Sequence, residues 1–447
     1  MTIEYQFPVI ELSTIFYIST YFFALLIPFI IKSKKVMRAF EIDIYLATAI
    51  STLLYFLLPF IVKQQSFTPH GFWGRLLLFD RSSDGVSAAF PAFHVIWAFI
   101  SAQYFSIRYK KTKYLWYFLA LLVSISCIST GNHSIFDVIA GIIVFLIVKF
   151  RFQIWNLIRF QTERLANSWK EWRFGPIRII NHGFYTGIGG FVGILMIGSF
   201  LGSQYAVAGF IIGISGVIGA ALWAQFIEGS PKLQRPYGYY GGVIGIFTAG
   251  ALMMLVFQLN FFILIAASAM AAPWVQVLGR LRCLVQGCCH GKPTNEKLGI
   301  HFTHPLSRVN KISGMHGRSL HPTQLYSIAT NIITGLVLIR LYNLEMSSAF
   351  IIGIYLILNG IGRFVEEYFR GEAQTPYWAG MRIYQWIAII NIVLGAVFTC
   401  FHSISMPVFQ LNSASFYWAI GMGICATVAY GVDFPESNRR FARLTSI

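Results

Sequence analysis

Apolar runs of about 18–22 residues recur along this chain, and that length is what a helix needs to cross the hydrocarbon core of a bilayer. They fall at 12–31, 43–63, 91–107, 114–130 and 134–150, and again at 183–202, 205–227, 240–258, 261–278, 323–342, 347–366, 382–401 and 408–431. In lipid each must be helical, because only a helix pairs its own amides and carbonyls where water is absent. The reading is therefore an all-α polytopic membrane protein, with about thirteen transmembrane helices in two helical-bundle domains. Composition agrees: 56% of the 447 residues are hydrophobic and 11% charged, too little polar surface for a soluble chain of this size.

The formal net charge of +17 would suggest nucleic acid in a soluble protein. Here the basic residues sit in loops between apolar runs (Lys32, Lys34, Lys35 and Arg38; Arg108, Lys110, Lys111 and Lys113; the stretch 151–178), as the positive-inside rule requires. No nucleic acid is implied; anionic lipid headgroups are the natural partners of these loops. With them in the cytoplasm, the N-terminus, residues 64–90 and residues 131–133 lie outside. Continuing the count puts 228–238, 279–322 and 367–381 inside. The N-terminus lacks the basic start of a cleavable signal, so the first span is expected to remain in the mature protein. Residues 151–182 read as a basic, Trp-rich amphipathic linker between domains at 1–150 and 183–447.

Two groups of polar residues break the apolar pattern. In the first half, Arg75, Asp80, Arg81, Asp84 and Gly85 precede Phe90-Pro91-Ala92-Phe93-His94, and Asn132-His133 precedes Asp137 and Gly141. The topology brings His94 and His133 to one membrane face from different helices. Asp137, four residues past His133, falls on the same helical face and is placed to orient the imidazole, leaving its other nitrogen as a nucleophile. His94 would serve as general acid and base, with Arg81 and Arg75 binding phosphate oxygens. An ionisable residue inside a span, such as Asp137, is costly enough to be functional by default. These motifs resemble the second and third motifs of the type 2 phosphatidic acid phosphatase superfamily over about residues 40–150, closest to its inositol phosphorylceramide synthase-like branch. The resemblance implies phosphotransfer through a phosphohistidine at His133, with Asp137 its partner and His94 the acid and base. Ser126 and Cys127 stand where the phosphatases carry Ser-Arg, and Ala92 where they carry Ser, which favours a headgroup transferase over a simple phosphatase.

In the second half, four stretches place polar residues against spans: Arg235-Pro236 to Tyr240-Gly241-Gly242; Arg280 to Gly291; His321-Pro322-Thr323-Gln324-Leu325-Tyr326; and Arg363 to Glu372. Arg363–Glu367 and Glu366–Arg370 are i,i+4 pairs that let charges sit near a membrane. Arg280, Arg363 and Arg370 are candidate phosphate ligands, and Gly241, Gly242, Gly287 and Gly291 permit close backbone approach. Cys283, Cys288, Cys289 and His290 lack a paired CxxC, which favours a turn with packed thiols over a metal site. In order, the stretches resemble the motifs of prolipoprotein diacylglyceryl transferase from about 183 to 401. The resemblance implies phosphatidylglycerol binding and a site containing Arg280, His321, Gln324, Tyr326, Arg363, Glu367 and Arg370. Tyr240 stands in the place of a family histidine, and Cys283 and Cys288 in the places of an asparagine and a glutamate.

The leading reading is a bacterial inner-membrane enzyme that transfers a phospho-headgroup, or phosphate, to a lipid or lipoprotein acceptor. Its second unit binds a phosphatidylglycerol-like lipid. A diacylglyceryl transferase centred on Arg280 and a non-catalytic lipid-binding or lipid-moving protein are the alternatives. No metal or cofactor is implied, since histidine needs none as a nucleophile.

Overall fold

The computed structural model describes residues 8–58, 60, 65–83, 90–227, 237–372 and 377–437; Asp84, Gly85, Arg235 and Pro236 lie outside this set. The chain divides into two compact units at Leu157/Ile158. Unit one holds α1 (Thr14–Ile30), α2 (Lys34–Leu57), α3 (Gly71–Ser83), α4 (Phe93–Arg108), α5 (Lys113–Ser129) and α6 (Ile135–Lys149). The next helix, α7 (Arg151–Ala166), runs through the division and is followed by strands β1 (Glu171–Phe174) and β2 (Ile177–Ile180). Unit two then continues through α8 (His182–Leu201), α9 (Ala206–Leu222), α10 (Tyr239–Phe257), α11 (Phe261–Gln286), β3 (Ile300–His301), α12 (Arg308–Lys311), β4 (Ser319–Leu320), α13 (Thr323–Asn343) and α14 (Ser348–Phe369). It closes with β5 (Tyr377–Trp378), β6 (Met381–Arg382), α15 (Ile383–Thr399), α16 (Ser413–Gly431) and β7 (Val432–Asp433).

Each of the predicted spans coincides with one of these helices. Among the described residues, nine helices are long and apolar enough by composition to cross a membrane. Their surfaces are turned out for lipid: α1 exposes Phe22, Leu25 and Phe29 and buries Thr14, Tyr17 and Thr20. With no gain from hiding apolar surface inside lipid, small and polar groups go to the helix contacts. Glycines set the closest approaches. Gly353 on α14 and Gly395 on α15 face each other, and a Cβ on either would sit 2.6 Å from the carbonyl oxygen of the other.

The helices depart furthest from the predicted spans at two ends. Leading its span, α2 starts at Lys34 because its charged first turns continue the helix ahead of the apolar run. Overrunning its own, α11 carries Arg280 and Arg282 on to Gly287, whose φ of 71° ends the helix. Two short elements escape the hydropathy reading. One is α3, thirteen residues in the expected loop, with Gly74 packed on the Glu11 carboxylate. The other is the β1–β2 hairpin in the linker, which pairs Glu171 with Ile180 and Phe174 with Ile177 and gains β7 as a third strand.

Gly353→Val is expected to destabilise the α14–α15 contact by about 1–3 kcal/mol through overpacking. The thermal midpoint of the purified protein reads this, and an unchanged midpoint contradicts so close a contact.

Candidate active sites in the two units

In unit one the second and third motifs meet at one end of the bundle. The Tyr55 hydroxyl donates to the Pro91 carbonyl (2.9 Å), and the Ala92 amide donates to the Asp137 carbonyl (3.0 Å). These bonds hold the start of α4 against α2 and against the start of α6, and the His94 and His133 rings lie 5.9 Å apart. His133 is outside the helix. Ser134 is the N-cap of α6, with its hydroxyl 3.3 Å from the Asp137 amide, while the Asp137 carboxylate accepts the Ser134 amide at 2.7 Å. Asp137 is thus the third residue of a capping box. Its Oδ2 lies 3.9 Å from His133 Nδ1, an ion-pair distance longer than a hydrogen bond. The reading of the two as successive turns of one helix is corrected in this respect: the fifth span opens two residues after His133.

His94 is engaged on both ring nitrogens by α1: the Tyr17 hydroxyl is 3.2 Å from Nδ1 and the Tyr21 hydroxyl 2.8 Å from Nε2. A neutral imidazole has one N–H, so one tyrosine accepts and the other donates. Arg81, on α3, sends Nε to Asn132 Oδ1 (2.8 Å), Nη1 to the Gln65 carbonyl (2.6 Å) and Nη2 to the Thr130 carbonyl (2.6 Å). It braces the turn that presents His133. Arg75 does not join this group; it is exposed, its Nε donating to the Gly71 carbonyl one turn back.

Unit two gathers its polar groups at the ends of α10, α11, α13 and α14. Arg280 donates Nε to the Ser327 hydroxyl (2.9 Å) and Nη2 to Glu366 (2.8 Å). Arg363 reaches Glu366 (2.9 Å) and Glu367 (3.2 Å), and Arg370 lies 3.4 Å from each. Both i,i+4 pairs form, and each carboxylate also serves an i,i+3 arginine. Arg382, at the start of α15, adds a contact to Glu367 at 3.2 Å. Beside this network opens a polar cleft of about 330 Å³ empty volume, lined among others by Tyr239, Gln276, Arg280, Thr330, Asn359 and Arg363. Arg370 is enclosed in the network and does not line the cleft.

The tyrosine–glycine stretch behaves differently from its reading. Tyr240 is buried with its hydroxyl 3.3 Å from the Tyr384 carbonyl, while Tyr239 faces the cleft and bonds Asn359 at 2.8 Å. Gly241 and Gly242 pack α10 on α9, against Gly219 and Gly216, so their lack of a side chain serves helix contact. Gln324, fully buried, donates to the Cys288 carbonyl (2.8 Å), and His321 Nδ1 lies 3.0 Å from the Tyr326 hydroxyl. Burial, and the charge of Lys292 nearby, hold the His321 imidazole below its usual pKa. Gln324, His321 and Tyr326 thus organise the loop beside the cleft. The Cys283, Cys288 and Cys289 sulfurs lie within 4.8 Å of one another, while both His290 nitrogens are occupied by the Gly291 carbonyl and the Ser313 hydroxyl.

Residues 171–401 match the prolipoprotein diacylglyceryl transferase family, just over half the chain. The chain belongs to that family. Residues 6–150 match the PAP2 superfamily, so the chain joins parts matching two enzyme families. A phosphatidylglycerol–prolipoprotein diacylglyceryl transferase of Clostridium tetani is 28% identical over 203 residues, covering 41% of this chain and 76% of its own length. Proteins of the same name from Clostridium perfringens and Clostridium novyi are each 28% identical, over 169 and 158 residues. Those stretches cover 36% and 35% of this chain and 64% and 60% of the relatives, less than two thirds of either.

Several residues of these sites are not marked out by the sequence. Tyr17 and Tyr21 were signalled only by lying four apart in an apolar run. Arg382 was signalled by its charge at the rim of a span, and Tyr239 stood next to the tyrosine that drew attention. Asn132 and Ser327 carried no signal of their own.

Because Glu366 pairs three arginines, Glu366→Gln is expected to cost about 3–5 kcal/mol of stability, the size expected when one member of a buried pair is removed. Chemical or thermal unfolding reads this loss; full stability in the variant would mean that the arginines are balanced by other groups.

Proposed function

We propose that unit one is a lipid phosphotransferase working through His133, and that unit two binds a phosphatidylglycerol-like lipid at Arg280 and Arg363. The observation that carries the first half is the pair of imidazoles 5.9 Å apart, delivered by separate elements, with Arg81 of α3 bracing the turn before His133. In the first step a His133 nitrogen attacks phosphorus and the P–O bond to the leaving alcohol breaks. The departing oxygen takes a proton from the His94 side. In the second step a hydroxyl acceptor gives its proton to His94 and attacks the phosphohistidine, so that the P–N bond breaks and His133 is restored. With water as acceptor the same steps are a phosphatase reaction. The acceptor is a lipid or lipoprotein, and we assign the site to the extracytoplasmic face of a bacterial inner membrane, on the basic loops 32–38, 108–113 and 151–178.

Tyr21, bonded to His94 Nε2 and partly exposed, is the natural path for that proton. Asp137 faces His133 across 3.9 Å and shapes its turn through the capping box. Arg81 acts by positioning, its Nε, Nη1 and Nη2 each donating to the chain.

A second reading, diacylglyceryl transfer in unit two, is favoured by the arginine-lined cleft and by the names of the relatives. There Arg280 and Arg363 would hold the lipid phosphate, and Tyr239 would stand nearest to the place of the family histidine.

Headgroup- and phosphate-labelled phospholipids in nanodiscs separate the two. His133→Ala is expected to abolish the labelled lipid product or freed phosphate, while Arg280→Ala leaves it. Loss in Arg280→Ala with full conversion in His133→Ala would move the chemistry to unit two. Tyr21→Phe is expected to lower kcat by about two orders of magnitude if it relays the proton. An unchanged kcat would remove it from the path.

A further inference from the structure

Near its end α11 carries two arginines two residues apart, Arg280 and Arg282. Two helical steps turn about 200°, so the side chains leave opposite sides. Arg280 goes to Glu366. Arg282, 8% exposed, points elsewhere: its Cζ sits 4.9 Å from the Tyr430 ring centre, and its Nε and Nη2 are buried without a hydrogen-bond partner among the described residues. Arg308, on α12 and also 8% exposed, has a buried Nε in the same condition. The charges of Arg178, Arg282 and Arg308 all reach His182, which is fully buried with neither ring nitrogen bonded. Trp169 meets His182 edge-on at 5.1 Å between ring centres and leaves its own N–H unpartnered, and so does Gln286, one turn beyond Arg282.

The carboxylates of this region are committed to Arg178 and, at Glu171, also to Arg173. Asp433 takes Arg178 at 2.9 and 2.7 Å, and Glu171 takes it at 3.4 Å. Neither Arg282 nor Arg308 pairs with a carboxylate among the described residues. Buried guanidinium groups without a counter-charge are strongly unfavourable, and buried donors without acceptors add to the penalty. Guanidinium, indole and amide N–H groups together call for a ligand that is anionic and rich in acceptor oxygens. Phosphate meets both conditions and suits the planar guanidinium fork.

We infer that Arg282 and Arg308, with Gln286, Trp169 and His182, form a buried anion site for a phosphate group, distinct from the cleft at Arg280 and Arg363. The phosphate is that of an anionic lipid headgroup or a free phosphate ion. The inference does not depend on which unit carries the catalysis.

The test is thermal melting of delipidated full-length protein in alkyl maltoside micelles, with phosphatidylglycerol or sodium phosphate added separately. The wild-type midpoint is expected to rise with one of them. A rise with phosphatidylglycerol alone identifies a headgroup, and a rise with sodium phosphate identifies the free ion. Arg282→Gln and Arg308→Gln, on different elements, are each expected to lose the part of that rise that this site contributes, while Arg280→Gln keeps that part. Without either additive, the two variants are expected to melt at or above wild type, since an unbalanced charge has gone. An unmoved wild-type midpoint overturns the site. So does a rise kept in full by both variants, or one lost only in Arg280→Gln.

Discussion

Charge inside a membrane protein has to be balanced within the protein, and much of this structure follows from how that balance is met. In unit one Asp43, buried in α2, accepts the Tyr104 hydroxyl at 2.8 Å and pairs with Arg151 at 2.5 Å, fastening the start of α7 to the bundle. In unit two Glu366 and Glu367 hold four arginines from three helices, fixing the register of α11, α14 and α15 at the end where the cleft opens. Arg178 and Asp433 tie the β1–β2 hairpin to the strand after α16. Each bond costs desolvation, and what it returns is a defined arrangement more than raw stability. Arg282 and Arg308 stand out because they break this pattern.

The two units use polar residues for different ends. In unit one they converge as a pair of imidazoles with tyrosine partners, groups that can both accept and donate a proton. In unit two they converge as guanidinium groups held by carboxylates, which keep their charge and suit gripping an anion. On the proposed reading, this member of the prolipoprotein diacylglyceryl transferase family with a PAP2 unit has one site suited to proton movement and one suited to phosphate recognition.

The sequence was most readable where a long-range constraint repeats. Bilayer thickness sets the length of every span, so the helices of both bundles were legible from hydropathy alone. Short elements were not: α3 and the β1–β2 hairpin depend on contacts such as Gly74 against Glu11 and Arg178 with Asp433, which hydropathy does not report. Within the sites, spacing revealed the arginine–glutamate ladder at 363–370, because a helix places residues three and four apart together. It misled at Asp137, where a capping box starts the helix after His133, and at Tyr240. One residue turns a helix by about 100°, so the choice between Tyr239 and Tyr240 for the cleft rests on packing, with Gly219 and Gly241 deciding the rotation of α10.

A covalent phosphohistidine at His133 is the central step of the proposed reaction, and rapid denaturation during turnover of a phosphate-labelled phospholipid tests it most directly. The label is predicted to appear on the protein in an acid-labile, alkali-stable form, to map to His133, and to be absent from His133→Ala. Labelled product formed at full rate with no labelled protein, or label that persists in His133→Ala, would contradict it.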